Sequence, residues 1–381
     1  MNDTAARAVA LRQRLHRCPE LAGCEEQTCR LIRETLAEIP DVRILPPFLR
    51  TDTVAFIDGA APGRNVTLRA DIDGLPVAEK SHAEFASERP GFMHACGHDV
   101  HTAILCGAAA ELAARRRKFA GSVRLVFQPG EEKKAMAGDL IRAGALRDPR
   151  PDFVAALHVE PGLPCGTIGV RAGAMAGGCL HFQVDFIGRG GHGSMPHAAR
   201  NPIPAAVAAI SELQYIVNQR IDARKSAVVS ICTIHGGEAD NIIPERCCFA
   251  GTLRAFDPET LELLCSEVRD ICGAVAKLHH VRCEFTTPGG KYPPVVNPVS
   301  GVEAALAAAK KAGLSVRQLA CPSMSSEDFS WFLLDASDGV FVRLGAGEDQ
   351  PPLHSADFLP PAEVIPAGIK YLTEIALTAL R

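Results

Sequence analysis

Apolar residues recur at helical spacing through positions 4–17 and 25–38 of this chain, and again through an alanine-rich stretch at 101–117. Short continuous apolar runs lie at 65–71, 123–128 and 153–158, the pattern of strands covered on both faces. Helices alternating with such runs predict an α/β layer on a mixed, largely parallel sheet. From about 179 the rhythm changes. A strand at 180–187 is followed by a helix over 203–219, strands at 227–234 and 247–256, a helix over 258–278 and a strand at 281–286. This β-α-β-β-α-β order is that of a ferredoxin-like unit. GGKYPPVVNPVS then reads as a linker, and a helix near 299–312 resumes the earlier style. The expected organisation is a larger domain made of 1–178 and 289–381, interrupted by a smaller domain at 179–288.

A length of 381 residues fits two cores better than one. The net charge of −4 and a pI near 6.4 give no footprint for nucleic acid or an anionic membrane. The one basic run, Arg115–Lys118, follows the alanine-rich stretch 107–114 and reads as cations at a helix C-terminus. No stretch approaches the roughly 20 apolar residues that span a bilayer. The opening MNDTAARAVALRQRLHR alternates charged and apolar residues, unlike a signal peptide. Several of the 14 cysteines lie inside apolar runs (Cys106, Cys232, Cys247, Cys248), so free thiols in a reducing cytoplasm are expected.

Chemistry concentrates where strands end. VTLRADIDGLP places Asp71 and Asp73 after one apolar run, VRLVFQPGEE places Glu131 and Glu132 after another, and FVAALHVEP places His158 at the end of a third. Sites in open α/β sheets lie at the carboxyl ends of strands. MHACGHDVHTA adds His94, Cys96, His98, Asp99 and His101, with Gly97 allowing a sharp turn between Cys96 and His98. Taken singly, each has a plain structural explanation: capping by the Glu pair, a turn before Pro76, a satisfied core histidine. Together, thiolate, imidazole and carboxylate form a ligand set for a borderline divalent ion. In a metallohydrolase the Glu pair divides, one holding metal and its neighbour taking the proton of the attacking water. A cysteine nucleophile, Cys96 with His98 as base, is the competing chemistry.

RADIDGLP, MHACGHDVHTA, FQPGEE, ALHVEPGLPCGTIGV, GRGGHGSMPH, ADNIIPE, GTLR, SSEDFS and PLHSADF occur in that order over nearly the whole chain. The sequence thereby resembles the amidohydrolase branch of the co-catalytic metallopeptidases: hippurate hydrolases, N-acyl-amino-acid amidohydrolases, N-acetyldiaminopimelate deacetylases and auxin-conjugate hydrolases. The resemblance implies a zinc-peptidase-like catalytic domain carrying an inserted lid and dimerisation domain. It makes Cys96, His98, Glu132, His158 and His354 the ligands of two divalent metal ions per subunit, Mn²⁺ or Zn²⁺ with Co²⁺ or Ni²⁺ as further options, with Cys96 shared. Glu131 becomes general base and then acid, and Asp73 an orienting aspartate. His101 and Asp99 stand behind the ligands, and His94 supports the loop. His192 matches a histidine that reaches a neighbouring subunit's site and polarises the scissile carbonyl; Asn241 and Arg254 match substrate contacts, the guanidinium suiting a carboxylate. Glu327 and Asp328 fall in a family motif without a fixed role. His181, His235, His279 and His280 have no motif and read as structural or surface residues, and His197 stands between a role like that of His192 and a plain loop histidine.

The implied protein is a cytoplasmic homodimer, joined through the inserted domain, that cleaves the amide of a small N-acyl amino acid substrate. A dipeptidase or carboxypeptidase, or a non-catalytic ligand-binding relative, would share the architecture. One departure from the family pattern stands out. Lys133-Lys134-Ala135-Met136 replaces a glycine-rich stretch after the Glu pair, and either lysine could bias the pocket towards acidic substrates.

Overall fold

Strand Asn65–Asp71 is buried along its whole length, as a strand with helices on both faces must be. In the computed structural model, which describes residues 3–381, it pairs in parallel with Ser122–Gln128 on one side and Phe153–Pro161 on the other. Phe153–Pro161 pairs in parallel with Gly339–Gly347. These four form the middle of an eight-stranded sheet whose order is Arg43–Ile44, Thr53–Asp58, Ser122–Gln128, Asn65–Asp71, Phe153–Pro161, Gly339–Gly347, Ile168–Val170, Val316–Gln318. Antiparallel pairings at Thr53–Asp58 and Ile168–Val170 make the sheet mixed, as expected.

Helix His98–Ala114 is buried nearly all round, and its small residues let neighbours come close. A Cβ on Gly107 would lie 2.4 Å from Ile369 Cδ1, and one on Gly368 would lie 2.4 Å from Ile104 Cδ1. Helices His98–Ala114 and Val364–Ala379 therefore interlock glycine against isoleucine in both directions. Ile32, Leu68, Leu112, Val342 and Ile375 belong to the same buried core. The chain divides into two compact units: the residues up to Met175 with Val296–Pro322 and Asp328–Arg381, and Ala176–Val295 with Ser323–Glu327.

The second unit is a four-stranded antiparallel sheet in the order Ala227–Gly236, Arg246–Ala255, Gly178–Ile187, Arg282–Thr286. Its helices Pro202–Leu213 and Pro258–Leu278 start the same way. Asn201 and Asp257 cap the second and third backbone amides of their helices and proline takes the first helical position. Phe182, Phe186, Phe249, Leu264 and Val268 fill the core. Strand order and connections are those of the ferredoxin-like unit.

Several elements differ from expectation. The third helix spans His98–Ala114, not 101–117, because Gly97 at φ 82° turns the chain so that His98 opens it; Arg116–Lys118 form a separate 3₁₀ turn. The helix expected over 203–219 divides after Leu213 and resumes at Ile216–Arg220, which brings Ile216 and Ile221 into the core while Tyr215 stays exposed. His158 lies inside its strand, which continues to Pro161. Strands Thr53–Asp58 and Gly339–Gly347 and helix Val364–Ala379 were not anticipated, since short apolar runs between polar segments do not declare their type by periodicity. No helix among the described residues is long and apolar enough to cross a membrane.

Candidate metal centre

The parallel strands Ser122–Gln128, Asn65–Asp71 and Phe153–Pro161 point their carboxyl ends the same way, which gathers Asp71, Asp73, the Glu131-Glu132 turn and His158 at one edge. Cys96 and His98 arrive from the start of helix His98–Ala114. Gly97 between them is required twice over. Its φ is 82°, and an added Cβ would sit 2.5 Å from Val159 Cγ2.

Two groups of candidate ligands share one sulfur. Cys96, His98 and His158 converge as one, and Cys96, Glu132 and His354 as the other. Cys96 Sγ lies 3.4 Å from His158 Nε2 and 3.3 Å from His354 Nε2. Sulfur and nitrogen on a tetrahedral zinc ion stand about 3.6 Å apart, given bond lengths of about 2.3 and 2.05 Å. His354 Nε2 is also 3.0 Å from Glu132 Oε1. The ring nitrogens are oriented for ligation. His158 Nδ1 lies 2.7 Å from the Val159 carbonyl oxygen, which can only accept, so Nε2 is left as the lone-pair atom. His98 Nδ1 meets Asp73 Oδ1 at 3.0 Å, while its buried Nε2 has no hydrogen-bond partner among the described residues. An orphaned, fully buried imidazole nitrogen backed by a carboxylate is what a metal-ligating histidine presents. His354 itself sits at φ 67°, an uncommon conformation for a residue with a Cβ, with its amide donating to the Ala95 carbonyl.

The charges fit a cation. Burial opposes a charge on His98, but Asp71, Asp73 and Glu132 overcome it and hold the imidazole up at about 10. Burial, then Glu132 and Glu131, push the Cys96 thiol well above its usual range. A nucleophilic cysteine needs cations around it. Here the neighbours are acids, so the nucleophile reading of Cys96 is the weaker one and ligation the stronger. Glu131 is buried and lies with Glu132 beside His98.

His101 is placed to support rather than to bind. Its Nε2 accepts from the Val159 amide at 2.9 Å, so Nδ1 carries the proton and donates to Asp71 Oδ1 at 2.6 Å. With His158 donating to the Val159 carbonyl, the backbone of that one residue is held at both its amide and its carbonyl, and His158 beside it is fixed as well. Asp71 also takes Arg69 Nη1 at 2.7 Å; Arg69 reaches Asp328 and Gln128, and Asp328 accepts from the Ala137 amide. Asp99 opens the same helix and is held by Arg12 at 2.7 Å and His16 at 2.8 Å.

Residues 67–378 match the model of Peptidase family M20/M25/M40. The chain belongs to this family. It is 35% identical over 375 residues to the N-acetylcysteine deacetylase of Bacillus subtilis, covering 98% of this chain and 97% of that one. It is 32% identical over 364 residues to the N-acetyldiaminopimelate deacetylase of Listeria monocytogenes, covering 96% and 97%. A dinuclear metal binding peptidase of the M20 family from Bacillus subtilis has the same fold, with a TM-score of 0.85 and 32% identity over 99% of this chain and 98% of that one.

Within this M20 chain, the remaining sequence candidates lie in the second unit. His192 is exposed on a two-stranded ribbon, Gly191–His192 against Ile242–Ile243, and Asn241 is exposed at the foot of that ribbon. Arg254 donates through Nη1 to the Met324 carbonyl at 2.7 Å and to Ser326 Oγ at 3.0 Å. His197, His235 and His280 are exposed, and His181 and His279 half-buried. Of the two lysines after the Glu pair, Lys134 is exposed and lies along the Gly23 turn, its Nζ 2.7 Å from where a Cβ on Gly23 would be. Lys133 is exposed at φ 64°.

Sequence reasoning missed Glu25. This carboxylate is fully buried and takes the amides of Gly23 and Gly130 at 2.8 Å each through Oε1, and Thr51 Oγ1 at 2.8 Å through Oε2. It thus holds the residue immediately before Glu131. The only local signal was an acid next to a helix start, which reads as ordinary capping.

Proposed function

We propose that this M20 member is a metal-dependent amidohydrolase that cleaves N-acyl amino acids to a carboxylic acid and a free amino acid. The observation that carries the reading is the pair of ligand groups sharing Cys96, with Glu131 buried beside them. Relatives that match over almost their whole length and hydrolyse such amides support the substrate class.

Cys96, His98 and His158 would hold one ion, and Cys96, Glu132 and His354 the other, with Mn²⁺ or Zn²⁺ the first choices and Co²⁺ or Ni²⁺ further ones. Bound there, the ions supply the positive charge that activates water and stabilises an oxyanion. Asp73 fixes the His98 ring through Nδ1. Glu131 takes the proton of the attacking water and delivers it to the leaving amine, since an amine departs only when protonated. His192, from a second copy of the chain, donates a hydrogen bond to the scissile carbonyl, and Asn241 and Arg254 receive the carboxylate of the amino acid.

The second unit serves as lid and dimerisation domain in this reading. Strand Ala227–Gly236 forms an edge of its sheet, and Ile234 on it is 48% exposed, as are Val207 at 55% and Tyr215 at 59% on the helical side. All 14 cysteines are free thiols, which suits the cytoplasm.

The deciding assay is amino-acid release by protein loaded with Mn²⁺ or Zn²⁺, from N-acetyl, N-benzoyl and N-indoleacetyl amino acids and a set of dipeptides. Release from acyl conjugates is the expected result. Cleavage of dipeptides alone would move the protein to the peptidase side, and no release from a fully loaded protein would refute the proposal. Equal rates on neutral and acidic side chains would remove Lys133 and Lys134 from substrate selection.

A further inference from the structure

His192 is fixed by its own loop in a way that decides which ring nitrogen carries the proton. Nδ1 receives the Ser194 backbone N–H at 3.1 Å and faces Ser194 Oγ at 2.8 Å. A peptide N–H can only donate, so Nδ1 must present its lone pair, and the hydroxyl then donates to the same atom. The proton of the neutral ring is left on Nε2. Among the described residues Nε2 has no hydrogen-bond partner, so its N–H is available.

The loop that does this is tightly held. His192 pairs with Ile242 and Gly191 with Ile243, the Gly193 amide donates to the Asn241 carbonyl at 2.8 Å, and the Met195 amide donates to the His192 carbonyl at 2.9 Å. Gly193 has little room for a side chain, since a Cβ would lie 3.0 Å from the Asn241 carbonyl oxygen. The ribbon therefore carries His192 and Asn241 as one piece, and Ser194 sets the ring within it.

We infer that Ser194 is a positioning residue for amide hydrolysis: its amide and hydroxyl hold neutral His192 with the proton on Nε2, which makes His192 a hydrogen-bond donor to an acceptor oxygen and not a proton-abstracting base. This rests on the proposal that His192 acts on the scissile carbonyl. The acceptor is a carbonyl oxygen that gains negative charge as water adds, and a preoriented neutral donor is suited to it because the bond strengthens as that charge develops. No proton leaves His192 in the step. The proton accounting stays with Glu131, which takes one from water and returns one to the amine.

Nitrogen-15 spectra of histidine-labelled protein, with the His192 signals assigned by their loss in His192→Ala, read the tautomer directly and without substrate. The expected spectrum shows an unprotonated Nδ1 and a protonated Nε2. Kinetics of four variants in the metal-loaded enzyme accompany it. His192→Ala should lower kcat by about a hundredfold or more, the usual cost of losing such a donor. His192→Gln, which keeps an N–H donor but cannot act as a base, should recover most of that loss. Ser194→Ala should lower kcat by about three- to tenfold with KM unchanged, as expected for one lost hydrogen bond, and Ser194→Thr should restore it. Full activity in His192→Ala would remove the underlying role of His192. A large loss in His192→Ala with no recovery in His192→Gln, an unchanged Ser194→Ala, or a protonated Nδ1 in the resting protein would each overturn the positioning role of Ser194.

Discussion

Glu25 offers a quantitative test of how the Glu131 turn is held. The carboxylate is 0% exposed and accepts from Gly23, Gly130 and Thr51. Burial, reinforced by the negative charge of Asp73, pushes it up from 4.5 to about 7 against those hydrogen bonds. The sign follows from linkage. Between pH 4.5 and about 7 the folded protein keeps a proton that the unfolded chain has released, so the group's contribution to stability falls as pH rises through that window and levels off above it. The size of the rise corresponds to about 3 kcal/mol. In Glu25→Gln the amide oxygen still accepts from both glycines and the amide nitrogen can donate to Thr51 Oγ1, but nothing titrates. The variant's stability relative to the natural protein should therefore increase by about 3 kcal/mol between pH 4.5 and pH 8. Urea unfolding of the metal-free protein, in chelator across that range, measures this. The single tryptophan, Trp331, is the probe: its ring lies 3.3 Å from where a Cβ on Gly138 would sit, close to the segment after the Glu pair. Pairs of curves that stay parallel with pH, within about 0.5 kcal/mol, would refute the claim that Glu25 is held above its ordinary range. Glu25→Ala separates geometry from charge. It strands two amides and a hydroxyl and should be less stable than Glu25→Gln by about 2–4 kcal/mol at every pH, since neither variant titrates there.

Other substitutions bear on the metal centre and its turn. Glu131→Gln should bind both metal ions, as measured by elemental analysis, while kcat falls by about 10²–10⁴-fold; near-normal turnover would remove Glu131 from the chemistry. Cys96→Ser should drop the metal content to below one ion per chain, because Cys96 belongs to both ligand groups, whereas His158→Ala should spare one; two ions in Cys96→Ser would disprove the sharing. Lys133→Gly should raise the thermal midpoint of the metal-free protein, stabilising it by about 0.5–1 kcal/mol, since a residue with a Cβ held at φ 64° is strained and glycine is not. A lowered midpoint would mean that the lysine side chain contributes more than the strain costs.

Legibility in the sequence tracked the range of the interaction that fixes each feature. The ferredoxin-like unit was readable because its strands and helices follow one another in order and its helices begin with Asn201-Pro202 and Asp257-Pro258, signals complete within two residues. Strand Gly339–Gly347 was not readable. Its type is decided by pairing with Phe153–Pro161, nearly 190 residues earlier in the chain. The start of the third helix was misplaced for a related reason: Gly97 adopts its left-handed turn against Val159, which comes from another strand.

The same division runs through the site. Candidate ligand residues could be named because thiolate, imidazole and carboxylate are scarce types gathered in short motifs. Of what holds those ligands, the resemblance offered Asp73, His101 and Asp99, but the partners could not be read, because the supporting atoms are ordinary and distant. His101 reaches the backbone of Val159, Arg69 reaches Asp328, and Glu25 holds Gly130, at sequence separations of 58 to 259. None of these pairs leaves a local pattern. A buried arginine or glutamate in a sequence reads as a surface charge until the fold supplies its partner. The metal chemistry is therefore written in residue types, whereas the tautomers and orientations that make those residues useful are written in hydrogen bonds. The role proposed for His192 rests on both: GGHGSMPH made the residue a candidate through the resemblance, but the placement of its proton depends on a backbone amide two residues away whose direction only the folded ribbon determines.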